Sequence, residues 1–181
     1  MIDREFGASG FSSSRNASPF RILLLAILAT LLFFTGIGAS ADAATRFVTV
    51  GGTDSGNCTG PTCASVQYAI SQSANGDTIT IGDGTFNGAF ALDKDLTIQG
   101  GGAGNTILTS AGITATIATG ADNSEIRDLT FQGGTDPIRT NVATSGIKLT
   151  DLEITGGSGY GVGIHNNAVI TDWVIDGLNS H

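Results

Sequence analysis

Residues 149–157 read LTDLEITGG, a phrase the chain has already written as IRDLTFQGG at 126–134. A third copy, ITDWVIDGL, follows at 170–178, and a weaker one, DLTIQGG, precedes at 95–101. Asp95, Asp128, Asp151 and Asp172 hold the same place in the four copies. They are 33, 23 and 21 residues apart; a unit of ~20–25 residues built only of strands and turns predicts a coil that stacks on itself, and the longer interval reads as a coil with an inserted loop. One coil cannot bury its inward side chains, whereas stacked coils share an apolar column. The copies put Ile126, Leu129 and Phe131 inward, then Leu149, Leu152 and Ile154, then Ile170, Trp173 and Ile175. In the three full copies the apolar residues flanking the aspartate are three apart rather than two. Alternation therefore breaks at the acid, which predicts a bend in the left-handed conformation that Asp tolerates.

On this reading the four aspartates form one bend ladder, with neighbours ~4.8 Å apart. Two carboxylates at that distance repel by about 1 kcal/mol in water. Backbone N–H groups at each bend relieve the repulsion; Ca²⁺ seated between coils is the alternative.

Outward from the repeat, the pattern has a period of two from Asp77 to the end of the chain, in short runs parted by Gly, Asn and Asp. Upstream, SVQYAISQSA (65–74) places Val66, Ala69, Ile70 and Ala74 on one helical face. Ser65 caps its start and Asn75-Gly76 supplies its stop. RFVTV (46–50) reads as a strand. Cys58 and Cys63 enclose TGPT, and no third cysteine or nearby histidine completes a metal set, so the pair predicts a structural disulfide.

Arg15 and Arg21 precede the apolar run ILLLAILATLLFF (22–34), which is followed by Ala39-Ser40-Ala41 and Ala41-Asp42-Ala43. A basic flank, a short apolar run and an A-x-A site predict a secretory signal peptide cleaved near Ala41 or Ala43. An uncleaved anchor is the competing reading, although the run is short of the ~20 residues a spanning helix needs. The chain thus divides into a leader (1–43), a strand, disulfide loop and capping helix (44–76), and coils (77–181). A secreted or cell-surface location follows. Sixteen acids against eight bases give a net charge of −8. That balance argues against nucleic acid as a partner, and against an anionic membrane surface once the leader is removed. Oligomeric state is not legible.

From Cys63 to Leu108, CASVQYAISQSANGDTITIGDGTFNGAFALDKDLTIQGGGAGNTIL resembles the opening of right-handed parallel β-helix proteins of the pectin-lyase-like superfamily. A helix that caps the first coil is followed by G-D-T-I-x-I, then G-x-[FY], then L-T-I-x-G-x-G. The resemblance implies an all-β, right-handed parallel β-helix with an N-terminal capping helix. It also implies extracellular polysaccharide as binding partner or substrate, with lyase or glycoside hydrolase chemistry if the protein is an enzyme. A fold shared by many chemistries does not fix one. The alternative is a non-catalytic adhesin or structural stalk.

No catalytic residue is assigned from the sequence. Asp93/Asp95, Asp151/Glu153 and Asp172/Asp176 are paired carboxylates of the kind glycosidases use. Gly100–Asn105 lacks the third glycine of a dinucleotide motif and precedes a strand, so no nucleotide cofactor is expected. His165 has no orienting carboxylate at a telling spacing, and Trp173 reads as core. The chain stops at Asn179-Ser180-His181, where the next coil's strand is due. This predicts that the coils, and any active groove, continue beyond it.

Overall fold

The computed structural model describes residues 42–180. The leader's apolar run and its Ala39-Ser40-Ala41 site lie outside the described residues. Asp42–His181 form one compact unit. It is a parallel β-solenoid of about four turns with a single short helix.

Strand β1 (Thr45–Val48) leads through the disulfide loop to helix α1 (Val66–Gln72). The first coil comprises β2 (Thr78–Ile81), β3 (Gly84–Asn87) and β4 (Phe90–Leu92). The second comprises β5 (Thr97–Gln99), β6 (Thr106–Thr109) and β7 (Ala115–Ile117). In the third, β8 (Glu125–Gln132) runs through a bend, followed by β9 (Ile138–Thr140) and β10 (Thr144–Ser145). The fourth has β11 (Lys148–Thr155), β12 (Val162–Ile164) and β13 (Ile170–Thr171), and the last coil begins with β14 (Val174–Asp176) and β15 (Asn179–Ser180). All pairings are parallel; the long sheet runs β1-β2-β5-β8-β11-β14, and β4-β7-β9-β12 form another.

Register turns the sequence pattern into columns. Ile79, Ile98, Ile126, Leu149 and Ile175 stack in one row. Beyond the bend, Phe86, Leu108, Phe131 and Ile154 stack in a second. Each fully buried aliphatic or aromatic side chain contributes roughly 1.5–3 kcal/mol. Ile126, Leu129, Phe131, Leu149, Leu152 and Ile154 are all buried. The third copy is different: Ile170 is half-buried, Trp173 packs against the core from its edge, and Ile175 is 48% exposed, in the uppermost of the described coils.

The single ladder of four aspartates is corrected to two separate columns. Asp128 and Asp151 are neighbours, with φ of 59° and 50°, because the pairs on either side of them are in register. The next residue up that column is Gly177, since Asp176 pairs with Thr150. The residue below is Gly100, whose N–H bonds to the Arg127 carbonyl. Asp95 and Asp172 belong to a different corner, which they share with Asn123 and Gly146. There Thr97 pairs with Glu125, and the Gly146 N–H reaches the Thr171 carbonyl. Asn123, Gly146 and Asp172 have φ of 66°, 68° and 55°. From the third coil on, both corners hold a left-handed residue, and Asp128, Asp151 and Asp172 meet that need with the same phrase; Asp95, expected to bend likewise, does not have a positive φ. Asp151→Val is expected to cost about 1–2 kcal/mol, and Asp151→Gly within about 0.5 kcal/mol, in urea unfolding.

Gly100–Asn105 is a corner insertion. Ile98 pairs with Ile126 before it and Leu108 with Phe131 after it, so the second coil is longer by the loop's extra residues.

Helix α1 covers the bottom of the column with Val66, Ala69 and Ile70. The Ser65 hydroxyl accepts the Tyr68 N–H, as capping requires. The helix ends earlier than its apolar spacing suggests: Ser73 is extended and Ala74 is exposed. Its last residues are diverted by Asp77, whose Oδ2 accepts the Ala74 N–H at 2.9 Å. The same carboxylate accepts Arg46 Nη2 at 2.8 Å and Nε at 3.2 Å, and the Ala44 N–H at 2.7 Å on Oδ1. Arg46 pairs with Ile79 in register, so a guanidinium ends the first apolar column. Its Nη1 reaches the Asn57 carbonyl at 2.6 Å, tying in the loop closed by Cys58–Cys63. Burial pushes the Asp77 carboxyl up, but the Ala74 and Ala44 N–H groups and Arg46 outweigh it and hold it below the usual aspartate value.

Candidate functional site

Outward side chains of the long sheet stand in rows along the solenoid axis. Thr80, Gln99, Arg127, Thr150 and Asp176 form one row. Its members bond to one another: Gln99 Nε2 donates to Thr80 Oγ1 at 3.1 Å, and Arg127 Nη2 donates to Gln99 Oε1 at 2.5 Å. Arg127 Nη1 also meets Asp128 Oδ2 at 3.0 Å, offsetting part of the repulsion between Asp128 and Asp151. Beyond the bend, Thr130, Glu153 and Asn179 form a second row, with Thr130 Oγ1 donating to Glu153 Oε2 at 2.9 Å.

A shallow depression of about 420 Å³ opens where these rows meet the corner, lined by Gly104, Asp151, Glu153, Gly177 and Asn179 among others. Of the three carboxylate pairs singled out from the sequence, only Asp151/Glu153 shares this depression. Glycine at 177 keeps it open, since a side chain there would run into the Asp151 carboxylate. The floor thus offers two carboxylates and an amide, with Thr130 fixing one carboxylate from below. Such groups can hold hydroxyls. Among the described residues, no three His, Cys, Asp or Glu side chains converge to hold a metal ion.

The sheet containing β9 and β12 carries a pairing that the sequence did not reveal. His165 Nε2 lies 3.0 Å from Asp136 Oδ2, and Asp136 Oδ1 accepts the Tyr160 N–H at 3.1 Å. Asp136 is buried, while His165 and Tyr160 are reachable from solvent. Gly163 makes the arrangement feasible, because a Cβ there would crowd His165. The partners sit on adjacent coils and are remote in sequence, so only knowledge of the register could have joined them.

Cys58 and Cys63 are bonded and fully buried, with no free thiol in the chain. Asp54 locks the loop to the helix start by accepting the Ala64 and Ser65 N–H groups and the Ser65 hydroxyl. These residues support the cap and touch neither outer face described above. No protein-family model, curated protein or solved structure matches the chain.

Proposed function

We propose that this is an exported β-solenoid of the pectin-lyase-like kind that binds extracellular polysaccharide along its long sheet. The observation that carries the reading is the in-register polar rows leading to the depression that holds Asp151, Glu153 and Asn179. A glycan is an extended polymer of hydroxyls. Parallel rows of Thr, Gln, Asn and carboxylate side chains at ~4.8 Å spacing offer it repeated donors and acceptors along one line. The net charge of −8 favours neutral over polyanionic chains.

The test is affinity electrophoresis of the full chain against neutral and acidic polysaccharides. Asp151→Asn with Glu153→Gln is expected to weaken retention by about tenfold or more, equivalent to one or two lost hydrogen bonds to charged groups. Assaying the same polymers for new unsaturated or reducing ends separates cleavage from binding. Repeating the assay with chelator tests calcium between Asp128 and Asp151 as part of the same site. Absence of retention on every polymer would reject the binding reading in favour of a stalk.

A further inference from the structure

The structure assigns Ala44 as the new N-terminus left by export processing, its α-ammonium seated on the buried Asp77 carboxylate. This inference rests on the export reading above and adds the bond that is cut and the group that receives the product. Two small-x-small sites compete in the sequence, and they leave different ends. Cutting after Ala41 leaves Asp42 first, about 7 Å of extended chain before Ala44. Cutting after Ala43, with Ala41 and Ala43 as the small residues, leaves Ala44 first.

The fold distinguishes the two ends. Asp42 and Ala43 are exposed, whereas Ala44 is half-buried and held at both its backbone groups. Its nitrogen lies 2.7 Å from Asp77 Oδ1, and its carbonyl accepts the Thr78 N–H at 2.9 Å. Ala44 is thus where the chain joins the solenoid, and its nitrogen already faces a carboxylate.

Hydrolysis adds one water across the Ala43–Ala44 peptide bond, catalysed by an export endopeptidase that accepts small residues at these positions. The C–N bond breaks, Ala43 leaves as a carboxylate, and the Ala44 amine takes the proton to become an ammonium. An N–H···O⁻ bond charged on the acceptor alone becomes an ion pair charged on both sides. Asp77 then serves two cations, Arg46 and the ammonium. The half-buried setting leaves the ammonium's other hydrogens access to water.

The experiment is to express the full chain in a secreting host and determine the exported protein's N-terminus by intact mass and sequencing. A start at Ala44 is expected; a start at Asp42 overturns the assignment, and retention of residues 1–43 overturns the export reading along with it. The mature protein is then compared with the same protein acetylated at its α-amine and with a form extended by Ala43. The free Ala44 form is expected to melt about 3–5 °C above both, a difference that vanishes in Asp77→Asn. Equal melting of the three forms overturns the ammonium seat even if the cut falls at Ala44. The acetylation arm keeps Asp77 intact, so the result stands even if Asp77→Asn fails to fold.

Discussion

Asp77→Ala is expected to destabilise the solenoid by about 3–5 kcal/mol in urea unfolding, the cost of removing one partner from a buried ion pair. Arg46 and Asp77 are 8% and 3% exposed, so the guanidinium left behind has little water to turn to. The Ala74 and Ala44 N–H groups lose their acceptor at the same time. Those donors lie just before β1 and just after α1, so the damage is to the cap that closes the first coil. Replacing both partners, with Arg46→Leu added to Asp77→Ala, is expected to recover part of the loss, since no buried charge is then stranded. Acid sensitivity follows from the same residue. The folded-state pKa of Asp77 is depressed, so its contribution is full above the ordinary aspartate value of ~3.9 and is lost as pH falls through the lower folded value. The wild-type urea midpoint is expected to drop below about pH 4, and Asp77→Asn to flatten that limb. An equally steep limb in the variant would place the acid sensitivity elsewhere.

The solenoid was legible because its driving pattern is local. Ile126, Leu129 and Phe131 announce a bent strand, and repetition announces the stack. What failed was the assignment of equivalent residues between copies. ITDWVIDGL aligns by eye with LTDLEITGG, yet register sets Ile175 on Leu149 and Gly177 on Asp151. Left-handed geometry recurs at two corners from the third coil on, at Asn123 and Asp128, Gly146 and Asp151, then Asp172 and Gly177, and Asp, Asn and Gly satisfy it interchangeably. Spelling therefore cannot tell one corner from the other, whereas hydrogen bonding can. The polar contacts were illegible for a related reason. Arg46 with Asp77, and Asp136 with His165, are separated by most of a coil or more, with no motif between them. Asp77 reads as an ordinary turn residue opening DTITI, and nothing in that run reveals its four donors. Asp151 and Glu153 were visible as a pair, but the depression around them depends on Gly177 one coil above.

Phe131→Ala is expected to cost about 3–5 kcal/mol, whereas Ile175→Ala costs less than about 1 kcal/mol. Phe131 is fully buried, with Leu108 beneath it and Ile154 above, so truncation leaves a void that neighbours on three coils cannot fill without breaking register. Ile175 also points along an inward row, but it is 48% exposed at the upper end. Val174, Leu178 and Ile164 are likewise exposed there. Truncation at Ile175 removes contact on one side only and opens no cavity. If the column is the source of stability, cost must track position along the axis rather than side-chain size alone. Ile126→Ala, in the same row as Ile175 but fully buried between Ile98 and Leu149, supplies the control and belongs with Phe131 at about 2–5 kcal/mol. Similar small losses at Phe131, Ile126 and Ile175 would mean that the rows do not share one continuous core.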